Sequence, residues 1–151
     1  MLKNESIIVS ACLLGEACRF DGQGKQNSTL LELLKNKHLI SVCPEVEGGL
    51  PIPRPPAEIV GDLVLRENGE DITESFQQGA RNGVVKAQTA NVSLAILKSR
   101  SPACGCGAVY DGTFSKTLKP GDGIFTQALK AAGIKCISDE QLLESPQLEI
   151  D

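Results

Sequence analysis

Six cysteines and a single histidine carry most of the chemistry this sequence can offer. Cys12 and Cys18 lie near the start, Cys43 in VCPE, Cys104 and Cys106 in SPACGCG, and Cys136 in IKCIS. Thiols serve as disulfides, metal ligands, nucleophiles or small buried hydrophobes, and their positions in the fold decide which. No Cys-x-x-Cys pair occurs and His38 stands alone, so the usual zinc spacing is missing. The opening stretch MLKNESIIVSACLLGEAC lacks the long apolar region of a signal peptide. The expected compartment is therefore the reducing cytoplasm, where structural disulfides are rare.

The elements that would position these thiols follow from local pattern. SIIVSACL is apolar and β-branched, a first strand. NSTLLELLKNK reads as a helix, with a capping box at Thr29 and Glu32, and HLISVC reads as a second strand. The next segment, PEVEGGLPIPRPPAEIV, holds five prolines between Pro44 and Pro56. Each fixes φ and removes a donor, so neither regular helix nor central strand is expected there. A long loop of this kind in a compact domain is usually functional. EIVGDLVLRENGED reads as a small hairpin containing the Asn68-Gly69 pair. From Thr73 a helix is expected with Phe76, Ala80, Val84 and Ala87 on one face. NVSLAIL is a third strand, followed by the loop KSRSPACGCGAVYDGTF. DGIFTQALKAAG is a helix stopped by Gly133, IKCIS a fourth strand, and Ser138 with Gln141 caps a last helix. Strands alternating with helices predict a single-domain α/β sandwich over residues 1–151, with a mainly parallel, Rossmann-like sheet and a small hairpin.

In a parallel sheet the carboxyl ends of the strands share one edge, where open α/β sheets bind ligands. Cys12, Cys43 and Cys104 all fall there. Cys136 sits inside a strand, the ordinary place for a buried thiol, while Cys18 and Cys106 lie on loops. Three converging thiols admit several chemistries: burial without a ligand, zinc, a cysteine nucleophile, or a 4Fe–4S cluster. Three protein thiolates on such a cluster would leave one iron open to substrate, a catalytic arrangement rather than an electron-transfer one.

Composition narrows the partners. The net charge is −4 and aromatics are only 3% of the chain. Neither the basic footprint nor the aromatic platforms of a nucleic-acid binder are present. No apolar run is long enough to span a membrane. A nucleic-acid partner is not expected.

The segments VSACLLGEACRFDG, VCPEVEGGLPIPRPPAEI, AILKSRSPACG and VYDGTF together resemble the DUF523 family, whose characterised members are thiouracil desulfurases. The resemblance runs from about Ile7 to Ser138. It implies a 4Fe–4S cluster held by three cysteines, Cys12, Cys43 and Cys104, and non-redox desulfuration of a thiolated pyrimidine. It also departs from the family pattern: Ala103 replaces a serine, Phe20 replaces a tyrosine, and Cys18 and Cys106 fall outside the motif cysteines.

On this reading Glu45, two residues after Cys43, is the expected acid–base group, with Glu47 as its substitute. Ser101 is expected to hydrogen-bond substrate or position water, and as a common turn former it also has a local role. Arg54, between prolines, would orient a pyrimidine carbonyl or clamp its loop. Asp21 and Asp111, in the similar turns FDG and YDG, are candidate substrate contacts and equally plain turn residues. Lys98 and Arg100 would place positive charge near an anionic cluster. His38 is expected to be exposed. Two other functions stay open: a desulfidase acting on another thiolated base, nucleoside or tRNA base, and a non-catalytic iron–sulfur or zinc sensor.

Overall fold

A computed structural model describes residues 6–145. In chain order it contains β1 (Ser6–Ser10), α1 (Ser28–Leu33), β2 (His38–Val42), α2 (Pro44–Glu47), β3 (Ala57–Val60), β4 (Leu63–Arg66) and α3 (Thr73–Thr89). There follow β5 (Leu94–Leu97), β6 (Ala108–Tyr110), β7 (Leu118–Pro120), α4 (Ile124–Ala131), β8 (Lys135–Ser138) and α5 (Asp139–Glu144). The central sheet has four strands in the order β2-β1-β5-β8, every pair parallel. Two antiparallel hairpins, β3–β4 and β6–β7, stand apart from it. The expected α/β architecture with a parallel sheet is what the chain adopts.

Alternation along the strands sorts the core into two layers. Ile8, Val42, Ala95 and Leu97 pack with Phe76, Ala80, Phe125 and Leu129 beneath α3 and α4. Ile7, Val9, Leu94, Ile96 and Ile137 pack with Leu30, Leu34 and Leu142 on the side of α1 and α5. Because β1 is buried on both faces, it reads as a continuous apolar run rather than an alternating one.

Several boundaries differ from the sequence expectation. The first strand stops at Ser10, and Ala11–Leu14 form a 3₁₀ turn that carries Cys12 out of the sheet. Helix α1 is capped by Asn27, whose side chain accepts from Leu30 N at 3.0 Å, so the Thr29–Glu32 box is not used. The proline-rich segment does contain one helical turn, α2, because Pro44 takes the first helical position, where its missing N–H costs nothing. The first hairpin turns at Gly61-Asp62, while Asn68-Gly69 makes a separate turn in which Gly69 N donates to Arg66 O at 2.8 Å. The loop after β5 holds the second hairpin. The Ser138–Gln141 capping box is present on α5 as expected.

α2 and α3 meet backbone to backbone. A Cβ on Gly79 would sit 1.8 Å from Pro44 O, and one on Gly48 would sit 1.9 Å from Ser75 O. Only glycine at both positions lets this short helix, with Cys43 as its N-cap, rest directly on α3. No described helix is long and apolar enough to cross a membrane.

Candidate active site

The sheet order reverses between β1 and β5, the position where open α/β sheets form a ligand crevice. Register places Ser10 level with Val42, so the 3₁₀ turn with Cys12 and the start of α2 with Cys43 leave the sheet side by side. The loop after β5 brings Cys104 to the same edge. A cavity of about 520 Å³ opens there, and Cys12, Cys43, Cys104, Glu45, Arg54 and Ser101 all line it. Asp21 and Asp111 are not among its lining residues. Asp21 Oδ1 accepts from Gln23 N at 3.1 Å, and its other oxygen lies 3.7 Å from Arg19. Asp111 Oδ1 accepts from Thr113 N and from the Thr113 hydroxyl. Each closes its own turn.

The thiols sit in contrasting environments. Burial pushes Cys12 up to about 11, against the opposing pull of Lys98, and the neighbouring Cys43 raises it further. Full burial holds Cys104 well above the ordinary thiol range, although a hydrogen bond with Ser10 works against it. Cys43 is drawn down to about 7, chiefly by a hydrogen bond with Cys18, and the Val46 backbone adds to the effect. The same contact moves Cys18 up, and Cys43 Sγ also lies 3.6 Å from Cys18 O. Among the described residues no three His, Cys, Asp or Glu side chains are grouped around a single metal ion. Three soft thiols brought to one sheet edge from separate segments are the kind of donor set that could hold an iron–sulfur cluster.

Glu45 is held from one side. Arg54 Nε donates to Glu45 Oε1 at 2.8 Å, Nη2 to Cys18 O at 2.8 Å and Nη1 to Pro51 O at 3.0 Å. The arginine side chain is 2% exposed and the glutamate 18%. One buried guanidinium thus ties together Glu45, the Cys18 loop and the proline-rich segment. Glu47 instead pairs with Lys86 on α3 and does not line the cavity. Ser101 Oγ accepts from both Ala103 N and Cys104 N at 3.0 Å, which shapes the turn that presents Cys104. Lys98 and Arg100 also line the cavity, and Arg100 is paired with Glu140. His38 is exposed at the start of β2, its Nδ1 2.8 Å from Ser6 Oγ.

Residues 7–141 match the family described as 2-thiouracil desulfurase. The chain belongs to that family. The solved structure of the 4Fe-4S-dependent thiouracil desulfidase TudS (DUF523Vcz) is similar at 42% identity and a TM-score of 0.88, covering 95% of this chain and 97% of that one. The Bacillus subtilis (strain 168) protein YbbK, described as uncharacterized, is 38% identical over 146 residues, covering 90% of this chain and 97% of YbbK. For this 2-thiouracil desulfurase family member the sequence motifs held more than the individual residues first singled out. Ser10, Glu58 and Phe114 also line the cavity. Each lies inside a family-like segment, and that membership was the only signal available for them.

Proposed function

We propose that this protein desulfurates a thiolated pyrimidine, 2-thiouracil or a close analogue, using a 4Fe–4S cluster held by Cys12, Cys43 and Cys104. The observation that carries this reading is that the three thiols and Glu45, from separate parts of the chain, line one cavity. The net reaction is non-redox: water oxygen replaces the thiocarbonyl sulfur, and hydrogen sulfide leaves. When bound, such a cluster supplies an iron without a protein ligand, a thiophilic Lewis acid for the thiocarbonyl.

The chain's own groups do the rest. Each ligand thiol must shed its proton to bind metal, and Lys98 and Arg19 offset charge at Cys12. Arg54 fixes one oxygen of Glu45, leaving Oε2 to take the proton of the attacking water and pass it to the departing sulfur. Ser101 acts at the same edge, its hydroxyl proton directed to that water while its lone pairs hold the Cys104 turn. Arg54 acts on substrate through Glu45, and Asp21 and Asp111 act through the loops they close. The cavity volume suits a small molecule rather than a polymer.

Reconstituted without oxygen, the protein is expected to carry about four iron and four acid-labile sulfide per chain and to release sulfide from 2-thiouracil. Glu45→Gln is expected to keep its iron and lose about 10²- to 10⁴-fold in kcat, the usual contribution of a positioned acid–base group. Turnover by metal-free protein would overturn the mechanism, and an unchanged Glu45→Gln rate would remove Glu45 as its acid–base group. No sulfide release from cluster-loaded parent would favour a sensor over an enzyme.

A further inference from the structure

The chain has one tyrosine, four phenylalanines and no tryptophan. Phe76 and Phe125 are core residues, at 1% and 0% exposure. The other three, Phe20, Tyr110 and Phe114, all line the cavity. Every aromatic residue that does not fill the core therefore lines the cavity that holds the converging thiols.

Phe114 is there at a cost. Its φ is +57°, a left-handed conformation that is a genuine outlier for a bulky side chain. Four non-glycine residues among those described have positive φ, and three of them, Arg100, Phe114 and Lys116, line the cavity. Such conformations persist only where the surroundings over-determine them. Here the constraint is Glu58 on β3, a cavity-lining carboxylate only 8% exposed. Its Oε1 accepts from Gly112 N at 2.9 Å and from Phe114 N at 3.1 Å, bridging segments 54 to 56 residues apart. Bonds to an ionised acceptor are the stronger kind. A Cβ on Gly112 would lie 2.8 Å from Ile59 O, so the loop rests on the backbone of β3. Asp111 then closes the turn through Thr113.

We propose that Phe114 is a specificity-determining residue that stacks on the flat ring of the substrate, and that Glu58 is the positioning residue that holds it there. The inference rests on the reading of the cavity as a thiolated-pyrimidine site. A planar heteroaromatic ring offers a π face to Phe114, and an exocyclic sulfur adds a polarisable partner for aromatic edges. A ring of the same hydrogen-bonding pattern saturated at C5 and C6 puckers there and loses the continuous π face. The strained loop thus selects for ring planarity, a property that the thiols and Glu45 do not read.

The test uses the oxygen-free, cluster-loaded protein, with 2-thiouracil and its saturated dihydro analogue as probes, followed by calorimetric binding and by sulfide release. The parent is expected to bind the planar ring more tightly than the puckered one. Phe114→Ala is expected to weaken thiouracil binding and raise KM by about tenfold, the loss of one stacking side chain, with kcat, iron content and dihydro-analogue binding unchanged. Phe114→Tyr should behave like the parent, and Phe114→Leu, which keeps apolar volume, should behave like Phe114→Ala. Glu58→Ala is expected to reproduce the KM rise, with Glu58→Gln, which retains an acceptor oxygen, recovering most of it. Equal binding of the two rings by the parent, or equal weakening of both in Phe114→Ala, overturns the proposal. Planar-ring selectivity without any sulfide release would sink the desulfuration reading while leaving the role of Phe114 standing.

Discussion

Cys12, Cys43 and Cys104 differ from Cys106 and Cys136 less in depth than in what surrounds the sulfur. Burial raises Cys12 to about 11 and Cys136 to about 12, whereas Cys43 is drawn down to about 7. At the second group Cys106 donates to Cys136 O at 3.3 Å and Cys136 to Ile134 O at 3.6 Å. In the first, Cys43 has a similar contact with Cys18 O at 3.6 Å, so the cavity is what separates the two groups. Neither Cys106 nor Cys136 lines it. The first group faces open volume, with Lys98, Arg19 and Arg54 among the lining residues. A protonated thiol capped by a carbonyl behaves as a small hydrophobe. A thiol facing a cavity among cations can lose its proton to a metal. On the proposed reading, convergence and compensating charge rather than burial alone make a ligand.

The largest expected effect tests that contrast directly. Cys12→Ala, Cys43→Ala and Cys104→Ala are each expected to lose cluster iron and sulfide and all thiouracil turnover, while Cys106→Ala and Cys136→Ala keep both. Iron retained in any one of the first three would break the distinction. Arg54→Ala comes next. It strips the buried partner from Glu45 and frees the Cys18 carbonyl, so destabilisation of about 3 kcal/mol is expected from denaturant melts. Arg81→Ala, at a surface pair with Glu74 whose side chains are 55% and 80% exposed, is expected to cost less than about 1 kcal/mol. Equal losses at the two sites would mean that the cavity clamp is no stronger than a surface pair.

Gly79→Ala pushes a methyl into Pro44 O and must displace α2. A loss of about 1–3 kcal/mol is expected from such overpacking, with reduced cluster loading because Cys43 moves with the helix. Normal iron content in a folded Gly79→Ala protein would show that the Cys43 position tolerates this shift. Cys18→Ser is expected to keep iron and sulfide if, as proposed, Cys12, Cys43 and Cys104 are the ligands and Cys18 only hydrogen-bonds Cys43. Iron loss there would move it into the ligand group.

The smallest effect lies beside the second group of thiols. Asp122 accepts from Lys130 at 2.9 Å, and that bond raises the lysine above its ordinary 10.5. The stabilisation is complete below the unfolded pKa and disappears as pH rises through the folded one. Lys130 is mostly exposed, so Asp122→Asn is expected to cost less than about 0.5 kcal/mol near neutrality. The difference from the parent should vanish at strongly alkaline pH, and a difference that persists there would assign it to the Asp122–Gly107 bond instead.

Much of this architecture was legible locally. The apolar runs at Ile7–Val9 and Leu94–Leu97 announced buried parallel strands, and Ser138 with Gln141 announced the start of α5, because such signals arise from neighbours in the chain. Local reading failed where tertiary contacts override propensity. Cys12 was expected at a strand end and lies in a 3₁₀ turn. The proline-rich stretch was expected to be irregular, yet α2 forms because two glycines let it rest on α3. The Asn68-Gly69 pair was a strong turn signal, and it does turn, but the hairpin is closed by Gly61-Asp62.

The sequence by itself determined the fold class, the family and the candidate thiols. Those depend on periodicity, on residue types and on short ordered motifs, all of which are properties of adjacent residues. Only the tertiary structure decided which side chains share the cavity and what each one is held by. Arg54 commits its guanidinium to Glu45, Cys18 and Pro51, Asp21 and Asp111 turn away into their own loops, and Glu58 reaches across 56 residues to hold Phe114. Those partnerships come from packing between distant segments, where a few ångströms of helix or loop position choose one hydrogen-bond acceptor over another.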